Sequence, residues 1–269
     1  MDTILEKLAA HARERVAADK QNILPADMRQ RALAQRRDFR FSGSLAGRKE
    51  RGETALICEV KKASPSKGII DPEFDYNSIA ADYEEAGADC ISCLTEPRWF
   101  LGSDEIFADI RGRVSLPMIR KDFVVDSYQI YQACCLGADA VLLICAITDE
   151  KKLSQYLEEC GSLGLDALVE AHDEAEIKTA LRAGARMIGV NNRNLRDFSV
   201  DFDNARNLRD KIPDSVIFVA ESGVRSSGDV AMLHDCGADA VLAGEVLMRA
   251  SDRKALLREM KQAAGQGPF

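Results

Sequence analysis

The segment Cys135-Leu-Gly-Ala-Asp-Ala-Val-Leu-Leu143 occurs in four related versions along this chain. The other versions are Glu85-Ala-Gly-Ala-Asp-Cys-Ile-Ser-Cys93, Arg182-Ala-Gly-Ala-Arg-Met-Ile-Gly-Val190 and Asp235-Cys-Gly-Ala-Asp-Ala-Val-Leu-Ala243. In each of them a helical stretch stops at a glycine, and a run of mostly apolar residues follows. Because glycine readily adopts the left-handed conformation that ends a helix, each version predicts a helix, a short link and a buried strand.

The repeat also allows the strands to be counted. Its glycines are 50, 47 and 53 residues apart, and self-similarity at this scale indicates a repeated supersecondary unit. Further apolar stretches lie between the repeats, at residues 55–61, 117–123, 165–171 and 216–222. Amphipathic helical patterns separate the strands, at residues 76–86, 126–136, 150–163, 173–183, 203–211 and 227–236.

Eight strands that alternate with helices predict an α/β fold of the (β/α)8 TIM-barrel class. The alternative is a doubly wound open sheet. It fits less well because the first strand lacks the Gly-x-Gly-x-x-Gly turn of that fold. We expect a single barrel domain over residues 1–269, with residues 1–48 as an N-terminal helical extension.

The extension has two parts of different character. Residues 2–19 predict a helix, because Ile4, Leu5 and Leu8 fall on one side of it, and we expect this helix to pack across the barrel. Basic residues are frequent in segment 29–51. This segment predicts a solvated connector that leads into the first strand.

Composition excludes several classes of function. The 269 residues carry a formal net charge of −8, which disfavours nucleic-acid binding because that function needs a basic surface. No apolar run is long enough to span a membrane, and the first residues lack a signal-peptide pattern, so we expect a cytoplasmic protein. The eight cysteines then predict reduced thiols. Cys90 and Cys93 are three residues apart on a predicted strand and therefore face opposite ways, which disfavours a metal site.

Polar residues mark the carboxyl ends of the predicted strands, where this fold carries its chemistry. Glu59 and Lys61 are two residues apart, so both side chains project from the same face of the first strand, with Ser64 in the loop beyond. Charged or amide residues end six of the eight strands. They are Glu59 and Lys61, Lys121 and Asp122, Glu170, Asn191 to Asn194, Glu221, and Glu245. This pattern predicts a catalytic mouth.

The two lysines leave alternatives open. Lys61 and Lys121 each suit a Schiff base, a general acid or an anion clamp. The nearby carboxylate of Glu59 favours the charged form of Lys61, which disfavours its use as a nucleophile. Glu170 is flanked by apolar residues, so it can have a raised pKa and carry protons, or pair with a neighbouring lysine, and these two roles are compatible.

The last two strands predict a phosphate site. Ser222-Gly223 and Gly244-Glu245 provide glycines where backbone N–H groups can approach a ligand, and helices are predicted to start at Ser226 and Val246. Phosphate sites of this fold lie at the same place. We expect Glu245 to contribute its backbone N–H, because its carboxylate would repel a phosphate.

Over essentially its whole length the sequence resembles the indole-3-glycerol phosphate synthase family. The resemblance is carried by Glu59-Val-Lys-Lys-Ala-Ser-Pro-Ser-Lys-Gly68, Leu94-Thr-Glu-Pro-Arg-Trp-Phe100, Arg120-Lys-Asp-Phe123, Gly137-Ala-Asp-Ala-Val-Leu-Leu143, Leu168-Val-Glu170, Ile188-Gly-Val-Asn-Asn-Arg193 and Val219-Ala-Glu-Ser-Gly-Val224. The family consists of carboxy-lyases of tryptophan biosynthesis. They convert 1-(2-carboxyphenylamino)-1-deoxyribulose 5-phosphate into indole-3-glycerol phosphate without a metal or an organic cofactor.

The resemblance also implies roles for individual residues. Lys121 would protonate the substrate carbonyl, and Glu170 would act as acid and base in the later dehydration. The remaining catalytic residues would be Glu59, Lys61, Asn191 and Glu221. Substrate-binding residues would be Ser64, Phe100, Phe123, Leu142, Arg193 and Leu195. The phosphate would be bound by Ser222, Gly223, Gly244 and Glu245.

The resemblance further implies a mobile lid formed by loop 62–68, and contacts with other enzymes of the tryptophan pathway are possible. Trp99 and Phe100 either stack on an aromatic substrate or pack against the N-terminal helix.

Two competing functions can be formulated. Phosphoribosylanthranilate isomerase chemistry would need a cysteine and an aspartate at strand ends, but Cys58 is adjacent to Glu59 and faces the other way. A non-catalytic phosphate sensor on the same barrel would not need Glu59, Lys61, Lys121 and Glu170. The sequence therefore favours an enzyme.

Overall fold

A computed structural model describes residues 3–193 and 199–267 of the chain. Within these residues, eight parallel strands form a closed barrel in which each strand pairs with its neighbours in chain order and the last pairs with the first. This arrangement confirms the predicted (β/α)8 barrel. The strands are β1 (Ala55–Val60), β2 (Cys90–Leu94), β3 (Met118–Lys121), β4 (Ala140–Ile144), β5 (Asp166–Ala171), β6 (Met187–Asn191), β7 (Ile217–Glu221) and β8 (Ala240–Ala243). In the loop after β1, Ala63–Ser64 and Gly68–Ile69 form a short antiparallel hairpin.

Helices follow the strands and surround the barrel, and three more described helices precede β1. The helices are α1 (Ile4–Asn22), α2 (Pro25–Leu33), α3 (Arg40–Lys49), α4 (Tyr76–Glu85), α5 (Asp104–Arg111), α6 (Ser127–Cys135), α7 (Glu150–Leu163), α8 (Glu174–Ala183), α9 (Asp203–Leu208), α10 (Ser227–Asp235), α11 (Glu245–Met248) and α12 (Arg253–Ala263). Asp or Ser caps most helices at the amino end, as Asp149 does for α7 by accepting a hydrogen bond from the Lys152 N–H. Each repeat glycine has a positive φ where its helix ends, from 82° at Gly237 to 94° at Gly184.

Side chains along each strand alternate between two apolar layers. Leu56 and Cys58 of β1 point outward into the core shared with the helices, whereas Ala55 and Ile57 belong to a separate cluster inside the barrel. Cys90 lies in the inner cluster and Cys93 in the outer one, so the two thiols face opposite ways, as their spacing predicts.

The N-terminal extension closes both ends of the barrel. Apolar residues of α1, such as Leu8, contact the inner cluster at the carboxyl end, where Arg15 pairs with Asp122 just after β3 at 2.7 Å. Phe41 and Leu45 of α3 are fully buried against the same cluster at the amino end. The expected single helix is therefore the first of three.

The expectation of a solvated connector over residues 29–51 holds for Arg29, Arg31 and Arg36, which are exposed, but it is wrong for the segment as a whole. Most of this segment is helical, and four of its basic residues, Arg37, Arg40, Arg48 and Lys49, bind aspartates that the repeat places at the amino ends of strands. Arg48 Nε lies 2.6 Å from Asp89, Arg37 Nη2 lies 2.8 Å from Asp139, and Lys49 Nζ lies 3.0 Å from Asp239. These partners are distant in sequence, so a local charge pattern does not reveal them.

The same aspartates also fix the register of neighbouring strands. Asp89 accepts a hydrogen bond from the Leu56 N–H at 2.8 Å, Asp139 from the Met118 N–H at 2.9 Å, and Asp239 from the Phe218 N–H at 2.8 Å. A buried carboxylate that joins a backbone donor to a cation satisfies two groups that would be costly to leave unpaired.

Among the residues that the structure describes, no helix combines the length and the apolar character that a membrane span requires.

Replacing the fully buried Asp139 by alanine tests this arrangement. Asp139→Ala leaves the Met118 N–H and the guanidinium groups of Arg37 and Arg111 without their common acceptor. We expect a loss of about 3 kcal/mol in the free energy of unfolding, measured by urea denaturation. Asp235→Ala, at an exposed site on α10, is the control and should change stability by less than about 0.5 kcal/mol. Equal stability of the two variants would contradict this role.

Candidate active site

A cavity of about 610 Å³ opens at the carboxyl end of the barrel. Every residue predicted for the site lines it except Glu221, which lies beneath it, and Leu195, which falls outside the described residues. The predicted residues that line the cavity are Glu59, Lys61, Ser64, Phe100, Lys121, Phe123, Leu142, Glu170, Asn191, Arg193, Ser222, Gly223, Gly244 and Glu245. One cavity therefore brings together the strand ends that the sequence singled out.

A buried lysine lies at the centre of this site. The Nζ atom of Lys121 is 2.8 Å from Oε2 of Glu221 and 3.9 Å from Oε1 of Glu59. Glu59 also forms an ion pair with Lys61. All four residues lie in the last two positions of a strand or directly after it, with the parity that points into the barrel. The result is a buried network of alternating charges.

The network sets the charge state of its members. Burial acts to lower the pKa of Lys121, but the carboxylates of Glu221, Glu59 and Glu170 outweigh burial and raise it. Burial acts to raise the pKa of Glu59, but Lys61 and Lys121 outweigh burial and lower it. Lys121 is therefore an ammonium group and Glu59 a carboxylate at neutral pH.

Two glycines make room for this network. A Cβ at Gly189 of β6 would collide with Oε1 of Glu221, and a Cβ at Gly244 would lie 2.5 Å from Oε2 of Glu59. Contacts this short cannot form without moving the carboxylates. The glycine in the Ile188-Gly-Val motif is therefore part of the site although it has no side chain.

Glu170 differs from the other carboxylates. Burial raises its pKa, the charge of Glu221 adds to this effect, and His172 and Lys121 only partly oppose it. Its closest cationic neighbour is His172, whose Nε2 lies 3.6 Å from Oε1 of Glu170. The raised pKa expected for Glu170 agrees with the direction found here, and its ion-pair partner within 4 Å is a histidine rather than a lysine. A carboxyl group with a raised pKa can exchange protons near neutral pH.

One end of the cavity is apolar. Phe100 and Phe123 lie with their ring centroids 6.1 Å apart, and Leu142 is buried beside them. Trp99 instead packs edge-on against His11 of α1, with centroids 5.5 Å apart. Of the two aromatic residues in this loop, Phe100 faces the cavity and Trp99 faces the N-terminal helix.

The buried carboxylate of Glu96 shapes this aromatic loop. It accepts hydrogen bonds from the backbone N–H groups of Arg98, Trp99 and Phe100 at 3.0, 2.7 and 3.0 Å. His11 Nδ1 lies 3.2 Å from the same carboxylate. Helix α1 and the loop that presents Phe100 are therefore joined through one side chain.

The other end of the cavity carries the glycines and several cations. Ser222 has a φ of 67°, which is rare for a residue with a side chain, and Gly223 has a φ of 88°. Strained backbone of this kind is concentrated at functional sites. Arg225 and Arg249 also line this end. The expected helix start at Val246 is one residue late, since α11 begins at Glu245 and has only four residues.

The carboxylate of Glu245 is bound by cations. Its Oε1 atom lies 3.1 Å from Nε of Arg249 and 3.6 Å from Nζ of Lys67. Lys67 belongs to loop 62–68, and Ser66 of the same loop accepts a hydrogen bond from Arg193 at 3.4 Å. The predicted lid loop thus contacts the ends of β6 and β8.

Sequence reasoning missed several residues of the cavity. Ile4 and Leu8 of α1 line it, as do Lys67 and Arg249. Lys67 lies inside the motif Glu59–Gly68, and Arg249 follows Glu245 by one helical turn, so the local sequence could have indicated both. The two α1 residues depend on how that helix crosses the barrel, which the sequence does not encode locally.

Comparison with known proteins identifies the family. The family model described as indole-3-glycerol phosphate synthase matches residues 5–260. The chain belongs to the indole-3-glycerol phosphate synthase family. A relative of that name from Ruminiclostridium cellulolyticum is 48% identical over 97% of this chain and 100% of its own length. Another from Endomicrobium trichonymphae is 46% identical over 96% of this chain and 99% of its own.

Membership of the indole-3-glycerol phosphate synthase family gives the chain its activity, that of a decarboxylating lyase of tryptophan biosynthesis. Solved structures support the fold alone. The tryptophan synthase subunit alpha from Legionella pneumophila superposes with a TM-score of 0.63 at 14% identity, over 84% of this chain and 98% of that one. A thiamine phosphate pyrophosphorylase from Pyrococcus furiosus gives 0.60 at 15% identity, over 80% and 96%.

Gly189→Ala tests whether the space beside Glu221 matters for turnover. The added methyl group should push the carboxylate away from Lys121 and lower kcat at least tenfold, while circular dichroism stays unchanged. Gly161→Ala is the control, because no atom lies within 4 Å of its Cβ position on α7 apart from its chain neighbours and the backbone of its own helix. It should keep full activity and raise the melting temperature. A wild-type kcat in Gly189→Ala would show that turnover does not depend on this space.

Proposed function

We propose that the chain closes the indole ring of 1-(2-carboxyphenylamino)-1-deoxyribulose 5-phosphate in the barrel cavity, with Lys121 as the first proton donor. The observation that carries this assignment is the buried ammonium group of Lys121 between Glu221 and Glu59. The reaction needs an acid beside a ketone in a site that excludes water. Lys121 is the most buried lysine of the cavity, which fits that need.

The cavity orients the substrate by its two different ends. The apolar wall of Phe100, Phe123 and Leu142 suits the anthranilate ring. The backbone at Ser222, Gly223 and Gly244, with its neighbouring cations, suits the phosphate. Ser64 and Arg193 would then hold the substrate carboxylate and hydroxyls. This orientation leaves the ketone near Lys121, midway between the ends.

In the first step, the ring carbon that carries the carboxylate attacks the ketone carbon. The ketone oxygen gains negative charge as the new bond forms, and it takes a proton from Lys121. An ammonium group of raised pKa suits this step because the developing alkoxide is a much stronger base than an amine. Glu221 holds Lys121 in position, and loss of carbon dioxide then restores the aromatic ring.

Glu59 and Lys61 assist rather than start the reaction. The ion pair of Lys61 with Glu59 keeps the Lys61 ammonium group directed into the cavity. Lys61 would stabilise the negative charges of the substrate, and Asn191 would fix the position of Glu170. Lys61 is therefore the second candidate for a proton donor in the later step.

Dehydration requires a base and an acid. One proton must leave the carbon next to the ring nitrogen, and the former ketone oxygen must leave as water. Glu170 lines the cavity with a raised pKa, so it can take up the first proton and return one to the leaving hydroxyl group.

The two competing functions find less support. Cys58 points into the outer layer, away from the cavity, and burial raises the pKa of its thiol, so it is a poor partner for an isomerase. A sensor would not need a buried lysine held by two carboxylates. Incubation with the ribulose phosphate substrate distinguishes enzyme from sensor by the appearance of indole absorbance and fluorescence.

We also propose a cytoplasmic location, supported by the free thiols of all eight cysteines. Contact with other enzymes of tryptophan biosynthesis stays a prediction.

Lys121→Met should abolish ring closure and leave substrate binding largely intact, because it removes the proton donor and keeps most of the side-chain volume. We expect a fall in kcat of at least a thousandfold, with little change in the Kd measured by calorimetry. Lys178→Met, at a solvent-exposed site on α8, should behave as wild type. Substantial turnover of the Lys121 variant would rule out this assignment.

Glu170→Gln should separate the two halves of the reaction. The variant keeps Lys121, so ring closure and decarboxylation should proceed, but the dehydration lacks its acid and base. In a single turnover, carbon dioxide should appear at least ten times faster than indole fluorescence. If both products appear together at the wild-type rate, Glu170 does not have the proposed role.

A further inference from the structure

A second cavity, of about 470 Å³, lies beside the active site. It is lined mostly by polar groups that follow β5 and β6, including His172, Asp173, Glu176, Asn191, Asp201 and Asn204. Asn191 lines both cavities, so only the ends of two strands separate them. No step proposed above uses the second cavity.

His172 lies on the boundary between the two cavities. It lines the second cavity, while Glu170, two residues before it, lines the first. Its Nε2 atom faces Oε1 of Glu170 at 3.6 Å, and both atoms are buried without a hydrogen bond among the described residues. Its Nδ1 atom lies 3.2 Å from Oε2 of Glu176, which is partly exposed. The imidazole thus bridges a buried carboxyl group and a solvated one.

The surroundings of His172 are acidic on every side. Glu170 faces it from β5, Glu176 from α8 and Glu221 from β7, and Asp173 and Asp201 line the same cavity. Burial acts to lower the pKa of His172, but the hydrogen bond to Glu176 and the charge of Glu170 outweigh it and raise the pKa to about 9. The ring therefore carries a proton at neutral pH that it can release to a carboxylate.

The reaction consumes protons from solvent. A carboxylate leaves as neutral carbon dioxide, and the ketone oxygen leaves as water. One proton of the released water comes from the methylene carbon, so its other proton must come from outside the substrate. Each turnover thus takes up one proton. Lys121 and Glu170 are both buried, and bound substrate would fill the cavity that otherwise connects them to water.

We propose that His172 is a positioning residue of this reaction that acts through Glu170, by relaying protons to it from the second cavity. Ring closure leaves Lys121 as a neutral amine, and Lys121 and Glu170 line the same cavity. The imidazolium gives its Nε2 proton to Oε1 of Glu170, and Glu170 passes a proton across the cavity to the Lys121 amine, which restores the ammonium group for the next turnover. The neutral ring keeps its other proton on Nδ1, held by Glu176. The ring then regains a proton from solvent in the second cavity. The inference rests on the proposed role of Glu170.

His172→Ala and His172→Asn test the relay. Asparagine can still donate a hydrogen bond to Glu176 but cannot reach Glu170. His172→Asn should therefore keep the fold intact and prevent proton transfer to Glu170. We expect both variants to lose at least tenfold in kcat with a KM within twofold of wild type. Free imidazole should restore His172→Ala in proportion to its concentration, because the second cavity can admit it.

The pH profile provides a second measurement. Loss of the His172 cation removes a charge that lowers the pKa of Glu170, so that pKa should rise. The acidic limb of the kcat profile should therefore move to higher pH in both variants. His234→Asn is the matched control, since His234 bonds Thr54 on another side of the barrel. It should show neither the loss nor the shift.

The outcomes separate the relay from the proposed function. A kcat within twofold of wild type in both variants would overturn the relay, as would a loss that imidazole does not restore and that leaves the pH profile unmoved. If Glu170→Gln is inactive in indole formation while His172→Ala is active, only the relay fails. If Glu170→Gln is fully active, the proposed role of Glu170 fails first.

Discussion

Every second side chain of the eight strands must fit inside a closed barrel, and the rest of the structure depends on this constraint. Near the amino ends the interior is filled with apolar residues such as Ile57, Ile119 and Leu168. Toward the carboxyl ends the same parity brings Glu59, Lys121, Glu170 and Glu221 into one space. Side chains at every second position of a strand point into the barrel, and closure of the barrel brings the charged ones from different strands together.

Such a cluster is stable only if each charge has a partner. Burial alone would neutralise Glu59 and Lys121, but the charge of Lys61 on Glu59, the charge of Glu221 on Lys121 and the attraction between the two residues outweigh it. Glu170 is the exception, since Glu221 and burial act on it in the same direction. The pKa values of two carboxyl groups in one cavity are thus shifted in opposite directions by their neighbours, and this difference separates a group that holds an ammonium in place from one that exchanges protons.

The sequence predicts the barrel well because its signals are local. The strands begin and end within two residues of their predicted positions, since glycine and strand parity act over a few residues. The parity of Lys121 and Glu170 likewise follows from their own strands. The roles of α2 and α3 could not be predicted, because Arg37 and Lys49 meet partners more than a hundred residues away. His172 was missed because its environment depends on Glu176 from the next helix.

The contacts of the N-terminal helices have a consequence for how the chain is made. Lys49 at the end of α3 pairs with Asp239, and β1 needs β8 as one of its two neighbours. The first fifth of the chain leaves the ribosome long before either partner exists. Phe41 and Leu45 therefore cannot complete their packing against the inner cluster, and stay exposed or loosely covered, until β8 is synthesised. Completion of the native barrel therefore depends on the synthesis of β8.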